Sequence, residues 1–348
     1  DTDRSRGLGD VYKRQVPCWN CEKYIAQLLN CILNQSFQDW RLLLIDDHST
    51  DNTAVVVKGF SKKDQRIAYH LRNRLPKGAQ TCRNMGLSLA SDSEYVIFFD
   101  ADDLIAPYCF EQRVSYMDLH KDLDFAIFPA LMVCEDHKYH YVYGYQLFDD
   151  TLKALLNWTL PMVGWTNIYR VLSYKERKLE WDENLLSMQD SDFNIQALLK
   201  GCKYAYADTK PDYFYRIFKT NGSISSKISS KQHLKSHLHL IKKILLSLDV
   251  GQLEKYDKDL ECYLLKFIRI FATDVTTMKA FVNIPWIKVR KWYAIRALAC
   301  AYISPKAIKL LFPKIKRLNA RNMQKWELLM NEKYMDIKSY DKLYGFQE

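Results

Sequence analysis

The sequence predicts an α/β protein in which helices flank a mainly parallel β-sheet and an α-helical appendage follows at the C-terminal end. Three observations support this fold class. Short apolar segments typical of buried strands alternate with segments whose apolar residues recur every three or four positions, as in helices. Acidic residues directly follow two of the apolar segments. From residue 229 onward the periodicity is helical almost throughout.

The predicted elements follow one another in a regular order. A first helix is expected from Asn20, whose side chain would cap it, and its apolar face holds Ile25, Leu28, Leu29, Ile32 and Leu33. Strands are predicted at residues 41–45, 67–71, 95–99, 124–128, 204–207 and 213–217, and helices at 79–90, from 107 and at 192–200. Residues 139–170 match neither period and receive no assignment. In such alternating folds, ligands bind beyond the carboxyl ends of the parallel strands.

The N-terminal segment does not fit this pattern. Residues 1–15, DTDRSRGLGDVYKRQ, show neither period and join abruptly to Val16 and Pro17. We interpret them as a non-native segment that has replaced a first β-strand. The predicted organisation is therefore this segment, an α/β domain at residues 16–228 and a basic helical region at residues 229–348.

The composition is that of a packed globular protein, since 48% of the residues are hydrophobic and Gly and Pro are sparse. No apolar segment is long enough to span a bilayer, and the N-terminus lacks an apolar signal-peptide core. The nine cysteines are scattered, and the zinc-like spacing of Cys18 and Cys21 has no second pair, which indicates reduced thiols. These features predict a cytoplasmic protein.

Positive charge is concentrated in the C-terminal region. Residues 275–326 contain twelve Lys or Arg and no Asp or Glu, so the remainder of a chain with a net charge of +10 carries about −2. Aromatic residues are interleaved with these cations, as in helices that bind an anionic membrane interface. Helices packed on the α/β domain with a solvated basic face would give the same pattern. Nucleic-acid binding ranks below both, because no recognition motif accompanies the charge.

The segment YVIFFDADD places two carboxylates at the end of a predicted strand. Asp100 and Asp102 are two residues apart, so both can point toward one cation, and carboxylate oxygens select Mg²⁺ or Mn²⁺. Such a cation would bridge a diphosphate and offset the charge that develops as the diphosphate leaves. A solvated acidic turn would give the same short pattern, so these residues alone do not establish a metal site.

Further motifs occur in order along residues 16–225. They are Val16-Pro17-x-x-Asn20, Gln35-Ser36, Ile45-Asp46-Asp47-x-Ser49-Thr50-Asp51, Arg83-Asn84-x-Gly86-Leu87, Phe99-Asp100-Ala101-Asp102-Asp103, Gln189-Asp190 and Tyr215-Arg216. In this order and spacing, the chain resembles the family 2 glycosyltransferases with the GT-A fold. The resemblance implies a metal-dependent, inverting enzyme that moves a sugar from a nucleotide-sugar, with a UDP-sugar expected, to an acceptor hydroxyl during synthesis of a bacterial surface polysaccharide or glycolipid.

The resemblance also implies roles for individual residues. The donor-binding residues would be Pro17, Asn20, Asp46, Asp47, Arg83, Asp100, Ala101 and Asp102. Among them, Asp47 beside Asp46 would contact the nucleobase and Arg83 would face the diphosphate. Asp100 would contact the ribose or the metal, and Asp102 would ligate Mn²⁺ or Mg²⁺.

Structural explanations are available for the same residues. Asp46 and Asp47 would form an acidic pair at a helix N-terminus, with Ser49 and Thr50 as caps, and this explanation is compatible with donor binding. A surface ion pair accounts equally well for Arg83.

Asp190 falls where the family carries an acidic pair whose Asp is the general base that activates the acceptor hydroxyl. The chain has Gln189 where the family usually has Glu, and Asp192 offers a competing register. A surface carboxylate at the start of a helix would explain Asp190 without a catalytic role. Trp165 is interpreted as a core tryptophan rather than an acceptor platform.

Two other functions are compatible with parts of the sequence. A catalytically inactive GT-A-fold binding module would explain Gln189 and the unusual N-terminus. A sugar nucleotidylyltransferase would need a Gly-rich, Arg-containing loop near the first strand, which is not seen. The expected partners are therefore a nucleotide-sugar donor, a glycan or lipid-linked acceptor and, through the basic helices, the inner face of the plasma membrane.

Overall fold

The computed structural model describes residues 12–134, 139–144, 149–156, 162–217, 230–271 and 274–291. The strands are β1 Tyr12–Cys18, β2 Arg41–Asp46, β3 Ile67–Leu71, β4 Tyr95–Phe98, β5 Leu104–Ile105, β6 Phe125–Ile127, β7 Ala130–Cys134, β8 Tyr139–Tyr143, β9 Asn167–Arg170, β10 Tyr204–Tyr206 and β11 Tyr213–Ile217. The helices are α1 Glu22–Leu33, α2 Thr53–Lys63, α3 Ala79–Leu89, α4 Cys109–Leu119, α5 Thr151–Leu156, α6 Val171–Glu176, α7 Gln189–Leu199, α8 Lys231–Ser247, α9 Val250–Lys255, α10 Asp257–Phe271, α11 Val275–Val282 and α12 Pro285–Lys288. A short 3-10 helix spans Gly164–Thr166.

The main sheet has seven strands in the order β10-β6-β9-β4-β1-β2-β3. Its neighbours pair in parallel, except that β9 runs antiparallel to both β4 and β6. The predicted fold class is confirmed. A second sheet, β5-β11-β7-β8, was not predicted, and two of its strands, β7 and β8, lie in or next to the aromatic region at residues 139–170 that received no assignment.

The N-terminal prediction is wrong in one respect. The first strand is present, because β1 begins at Tyr12 and pairs with β2 on one side and β4 on the other. Three consecutive polar residues, Lys13, Arg14 and Gln15, interrupt the apolar alternation by which a strand is recognised in the sequence. The strand forms because β2 and β4 pair with its backbone on both sides. Residues 1–11 lie outside the described residues, and the non-native origin of residues 1–15 stays a prediction.

The hydrophobic core lies on both faces of the main sheet, as the alternation along β4 shows. Ile97 packs with α1 and α4 in one cluster, whereas Val96 and Phe98 pack in the other. This second cluster also contains residues from α8 to α12, among them Leu240 and Phe267. The described part of the C-terminal helical region therefore shares a core with the sheet, while the domain boundary near residue 230 stays a prediction.

No helix among the described residues is long and apolar enough to cross a membrane. Most of the basic region, from residue 292 onward, and the turn predicted at residues 221–223 lie outside the described residues. Cys18 and Cys21 are buried thiols.

Candidate active site

Asn20 joins the loops that follow β1 and β2. Its backbone N–H donates to the Ser49 hydroxyl at 2.9 Å, and its Oδ1 accepts from the backbone N–H of Thr50 at 2.8 Å. The predicted capping role is wrong, because α1 begins at Glu22 behind Cys21 without a side-chain cap. Asn20 has a φ of +49°, a left-handed conformation that asparagine tolerates better than most residues. The side chain of Asn20 therefore links the loops that follow β1 and β2, and it does not cap a helix.

Asp46 and Asp47 are both buried at the carboxyl end of β2, but their carboxylates have different partners. Asp46 accepts from the Ser49 backbone and hydroxyl, at 2.8 and 2.6 Å, and from the Tyr69 hydroxyl at 2.6 Å. Asp47 forms a buried ion pair with Arg72. Asp46 thus holds the loop together, and the Asp47–Arg72 pair is the charged feature at this end of the sheet.

The alternative that Ser49 and Thr50 cap a helix is wrong. Helix α2 begins at Thr53, and its N-cap residue is Asn52. The acidic pair at the end of β2 therefore lies more than one turn before the helix, beyond the range in which a carboxylate interacts strongly with a helix dipole.

An aromatic side chain that the sequence analysis did not single out also lies at this edge. Trp19 follows β1 directly and is 51% exposed, with the Lys77 ammonium 4.4 Å from its ring centroid. Its neighbour Cys18 accepts a hydrogen bond from the Asp47 N–H at 2.8 Å, so Trp19 lies close to the Asp47–Arg72 pair. Pro17 lies within β1, opposite Ile45. The sequence signal that could have identified Trp19 is an aromatic residue in the turn directly after a central strand.

Asp100, Ala101 and Asp102 follow β4 at the same edge, and Asp103 fastens this loop to β11. The fully buried carboxylate of Asp103 accepts from the Tyr213 hydroxyl at 2.6 Å and from the Arg216 backbone N–H at 2.8 Å. The Tyr213 hydroxyl in turn accepts from the Asp100 N–H at 3.2 Å. We call residues 100–103, held in this way, the β4 loop.

Asp190 lies in the first turn of α7. Its Oδ1 accepts from the Gly164 N–H at 2.9 Å, and no described residue donates a hydrogen bond to its Oδ2. A Cβ atom at position 164 would come within 2.6 Å of Asp190 Oδ1 and 2.9 Å of the Trp181 ring. Glycine is therefore required at 164 by the close approach of the carboxylate.

Arg83, on α3, links the β4 loop to the start of α7. Its guanidinium donates to Asp100 Oδ1 and to Gln189 Oε1, each at 2.9 Å, and lies 4.6 Å from the centroid of a Trp181 ring. The alternative of an ion pair is confirmed, with Asp100 as the partner, but its placement at the surface is wrong for Arg83, whose side chain is only 8% exposed. Gln189, where the resemblance leads us to expect Glu, accepts this hydrogen bond through a neutral amide oxygen.

The carboxylates around Arg83 affect one another. Burial raises the pKa of Asp100 to about 6; Arg83 opposes this rise, while Asp102 and Asp190 add to it. Burial also raises the pKa of Asp102, against the effect of Arg216. Three carboxylates from two elements thus share a region of concentrated negative charge.

The predicted donor residues lie along one edge of the main sheet. Pro17 and Asn20 are at the end of β1, Asp46 and Asp47 at the end of the adjacent β2, and Asp100 to Asp102 follow β4 on the other side of β1. Cys82, a buried thiol on α3 whose pKa burial raises to about 12, is affected by Asp47, Arg72 and Arg83.

The structure also shows the surroundings of Asp192 and Trp165. The Asp192 carboxylate is fully buried and accepts from Lys243 of α8 at 2.6 Å, so it faces the helical region and does not compete with Asp190. Trp165 is 6% exposed and stacks on Tyr213 with ring centroids 4.5 Å apart, which fits its interpretation as a core residue.

Among the described residues, no group of three or more His, Cys, Asp or Glu side chains has an arrangement that could hold a metal ion. Asp100 and Asp102 supply only two carboxylates, but Mg²⁺-type sites commonly combine one or two carboxylates with water and substrate phosphates. Burial raises the pKa of Asp100 and the carboxylates of Asp102 and Asp190 add to this rise, so a cation beside Asp100 would offset both effects. The residues present therefore fit a cation that binds together with a diphosphate.

A family model described as Glycosyl transferase family 2 matches residues 15–177. Poly(ribitol-phosphate) beta-N-acetylglucosaminyltransferase TarS of Staphylococcus aureus is 27% identical over 252 residues, which cover 69% of this chain and 41% of TarS. The UDP-Glc:alpha-D-GlcNAc-diphosphoundecaprenol beta-1,3-glucosyltransferase WfgD of Escherichia coli is 37% identical over 102 residues, which cover 29% of this chain and 39% of WfgD. The matched part thus spans about two fifths of the length of either relative.

Solved structures share the fold. A crystal structure of residues 1–349 of S. aureus TarS in complex with UDP-GlcNAc aligns with a TM-score of 0.61 at 20% identity, and the alignment covers 93% of this chain and 93% of that crystallised fragment. The mannosyltransferase PcManGT from Pyrobaculum calidifontis, in complex with GDP-Man and Mn²⁺, aligns with a TM-score of 0.52 at 18% identity, covering 88% of this chain and 89% of PcManGT. At these identities the alignments support the fold.

Proposed function

Because the chain belongs to the family 2 glycosyltransferases, we propose that it transfers a sugar from a nucleoside-diphosphate sugar to an acceptor hydroxyl, with inversion at the anomeric carbon. One observation carries the proposal. Arg83 donates to both Asp100 and Gln189, and so brings the acidic end of β4 together with the segment that bears Asp190. A donor and an acceptor bound at these two sets of residues would meet at one point.

The nucleotide would bind at the ends of β1 and β2. The exposed face of Trp19 offers a surface on which a nucleobase can stack, and Asp47 with Arg72 supplies polar partners beside it. Asn20 would keep the two loops together around the nucleotide. We expect a UDP-sugar, since UDP-GlcNAc is bound in the TarS structure and UDP-Glc appears in the name of WfgD.

Asp102 and Asp100 would hold Mn²⁺ or Mg²⁺. The bound cation would offset the charge that develops on the leaving diphosphate. Arg83 would add a second positive charge beside the same group, and its bond to Asp100 would keep that carboxylate oriented.

Asp190 would remove the proton from the acceptor hydroxyl as it attacks the anomeric carbon in a single displacement. Gly164 holds Oδ1 at 2.9 Å, which orients the carboxylate and leaves Oδ2 to receive the proton. Attack on the face opposite the leaving group inverts the configuration.

The names of the relatives suggest the biological setting. TarS and WfgD act on a poly(ribitol-phosphate) and on a diphosphoundecaprenol-linked sugar, respectively. We therefore propose an acceptor in a bacterial surface polysaccharide or glycolipid. Contact with an anionic membrane through the basic region stays a prediction, because most of that region lies outside the described residues.

Release of nucleoside diphosphate from UDP-, GDP- and dTDP-sugars, with Mn²⁺ and with EDTA, tests the proposal. We expect turnover that requires the cation and falls at least about 100-fold in Asp102→Ala and Asp190→Asn. Asp39→Ala, which removes an exposed carboxylate outside the site, should retain wild-type turnover.

Wild-type turnover in Asp102→Ala or Asp190→Asn would contradict the assigned roles. Nucleotide binding without turnover of any donor sugar would instead favour the inactive binding module, for which Gln189 is the motivating observation.

A further inference from the structure

The segment between α6 and α7 that leads to Asp190 is held from two sides. On one side, the side chain of Asn84 on α3 accepts from the Trp181 N–H at 3.0 Å and donates to the Trp181 carbonyl at 2.9 Å. On the other side, the Ser236 hydroxyl of α8 accepts from the Leu186 N–H at 2.9 Å. The segment thus bridges the helix that carries Arg83 and the first long helix of the C-terminal region.

Ser187 is held by two histidines of α8. Its hydroxyl lies 2.6 Å from His237 Nε2 and 3.2 Å from His233 Nδ1. The two histidines are one turn apart on α8 and both are buried. A hydroxyl can donate to one ring nitrogen and accept from another, so Ser187 can satisfy both contacts at once.

The next residue has a backbone conformation that needs such support. Met188 has φ 61° and ψ 26°, the left-handed region that costs a non-glycine residue energy. Residues persist there only where their surroundings fix them. Ser187 is fixed by α8 on one side of Met188, and Gln189 is fixed by Arg83 on the other.

This turn sets the direction of Asp190. Helix α7 starts immediately after Met188, and the Asp192 N–H donates to the Met188 carbonyl at 3.1 Å. A change in the Met188 dihedrals would rotate the first turn of α7 and move the Asp190 carboxylate away from the Gly164 N–H. The orientation of Asp190 therefore depends on a serine three residues earlier.

We infer that Ser187, clamped by His233 and His237, is a positioning residue that holds the left-handed turn at Met188 and so aims Asp190 at the acceptor hydroxyl. This inference rests on the proposed function of Asp190. It makes α8 part of the catalytic unit, although α8 contributes no group that touches a substrate.

Ser187→Ala is the primary test. We expect kcat to fall about tenfold to 100-fold at saturating donor and Mn²⁺, because a small misplacement of a catalytic group has effects of this size. The Kd for UDP should stay within about twofold of wild type, since the donor residues lie on other elements. Ser187→Thr restores a hydroxyl and should recover most of the lost kcat.

Ser247→Ala is the matched control. Ser247 is an exposed serine at the other end of α8, bonded to the Lys243 carbonyl and the Gln196 side chain. Its removal should leave kcat unchanged. A wild-type kcat in Ser187→Ala, or a parallel loss of kcat, UDP binding and thermal stability that Ser187→Thr does not recover, would overturn the inference.

Hydrogen exchange provides a readout that does not need turnover. Peptides covering residues 186–192 should exchange faster in Ser187→Ala than in wild type or Ser247→Ala, and unchanged exchange would overturn the inference.

Should Ser187→Ala fail to fold, Ser236→Ala, which releases the Leu186 N–H, should show the same local increase in exchange with a smaller loss of kcat. Absence of turnover in the wild-type enzyme would contradict the proposed function. The exchange result tests the role of Ser187, His233 and His237 independently of turnover.

Discussion

The β4 loop and the turn at residues 187–190, which we call the Ser187–Asp190 turn, hold their carboxylates in different ways. The β4 loop is fixed by a strand, through the buried Asp103 and its bonds to Tyr213 and Arg216. The turn is fixed by a helix some fifty residues later in the chain, through a hydroxyl between two imidazoles. Both regions therefore depend on residues far away in the sequence. They differ in that the β4 loop supplies a charged anchor from its own acidic motif, whereas the turn is anchored through a neutral hydroxyl outside the motif that bears Asp190.

The largest effect is expected where the anchor of the β4 loop is weakened. In Asp103→Asn, the amide oxygen can accept from Tyr213 or from the Arg216 N–H, but the amide nitrogen then opposes a second donor. We expect the free energy of unfolding to fall by about 2 to 4 kcal/mol and turnover to fall together with Mn²⁺ binding. Urea denaturation and Mn²⁺ titration measure both, with Asp39→Asn as the exposed control. Unchanged stability would show that Asp103 does not anchor the loop.

A substitution that separates the two regions should have the next largest effect. Arg83→Lys keeps the positive charge, but one ammonium cannot reproduce the planar fork that reaches both Asp100 and Gln189. We expect kcat to fall about 30-fold with little loss of stability. Steady-state kinetics with circular dichroism checks this. A kcat equal to that of wild type would mean that the two regions do not need a shared partner.

Acid should destabilise the protein through the Ser187–Asp190 turn and stabilise it through the β4 loop. Burial lowers the pKa of His237 to about 4, and the neighbouring His233 adds to this effect. An imidazole whose pKa is lower in the folded state favours folding above pH about 6.5 and loses that contribution as the pH falls toward 4. Between pH 7.5 and 4.5 this group should therefore lower the free energy of unfolding by at most about 3 kcal/mol, while Asp100, whose pKa burial raises to about 6, should raise it over the same range. Urea denaturation at each pH isolates the histidine: His237→Gln should lose less stability than wild type as the pH falls, with His70→Gln as a control at another histidine.

The smallest effect concerns the strand beneath both regions. Gln15 is fully buried in β1 against Gly86 of α3, and no described residue is a hydrogen-bond partner of its amide. Gln15→Met keeps a similar volume and removes the buried amide, so it should raise the free energy of unfolding by about 1 to 2 kcal/mol. Gln65→Met, at an exposed position, serves as the control in the same urea titration. A destabilised Gln15→Met would indicate that the amide has a partner outside the described residues.

The sequence predicted those elements that are determined by the pattern of neighbouring residues. Apolar runs and helical periods predicted β2, β3, β4, α1 and α3, since these elements bury one face in the usual pattern. The β1 strand was missed because Lys13 and Arg14 interrupt the period, although neighbouring strands on both sides hold it in place.

The candidate site was predictable in its members more than in their partners. Asp100, Asp102 and Asp190 stand out by type and order. In contrast, the pairing of Asp192 with Lys243, and of Ser187 with His237, joins residues about fifty positions apart for which no short motif exists. Such contacts follow from how helices pack on the sheet, which periodicity does not specify.

The core that α8 to α12 share with the main sheet has a consequence for exchanging parts between relatives. Leu240 and Phe267 pack in the same cluster as Phe98 and Phe193. A hybrid with a foreign helical region would meet an apolar surface shaped for other side chains, and would also lose the hydroxyl and imidazole contacts at Ser187. The two parts are therefore expected to be inherited together, and substitutions on one side of this contact should be accompanied by changes on the other.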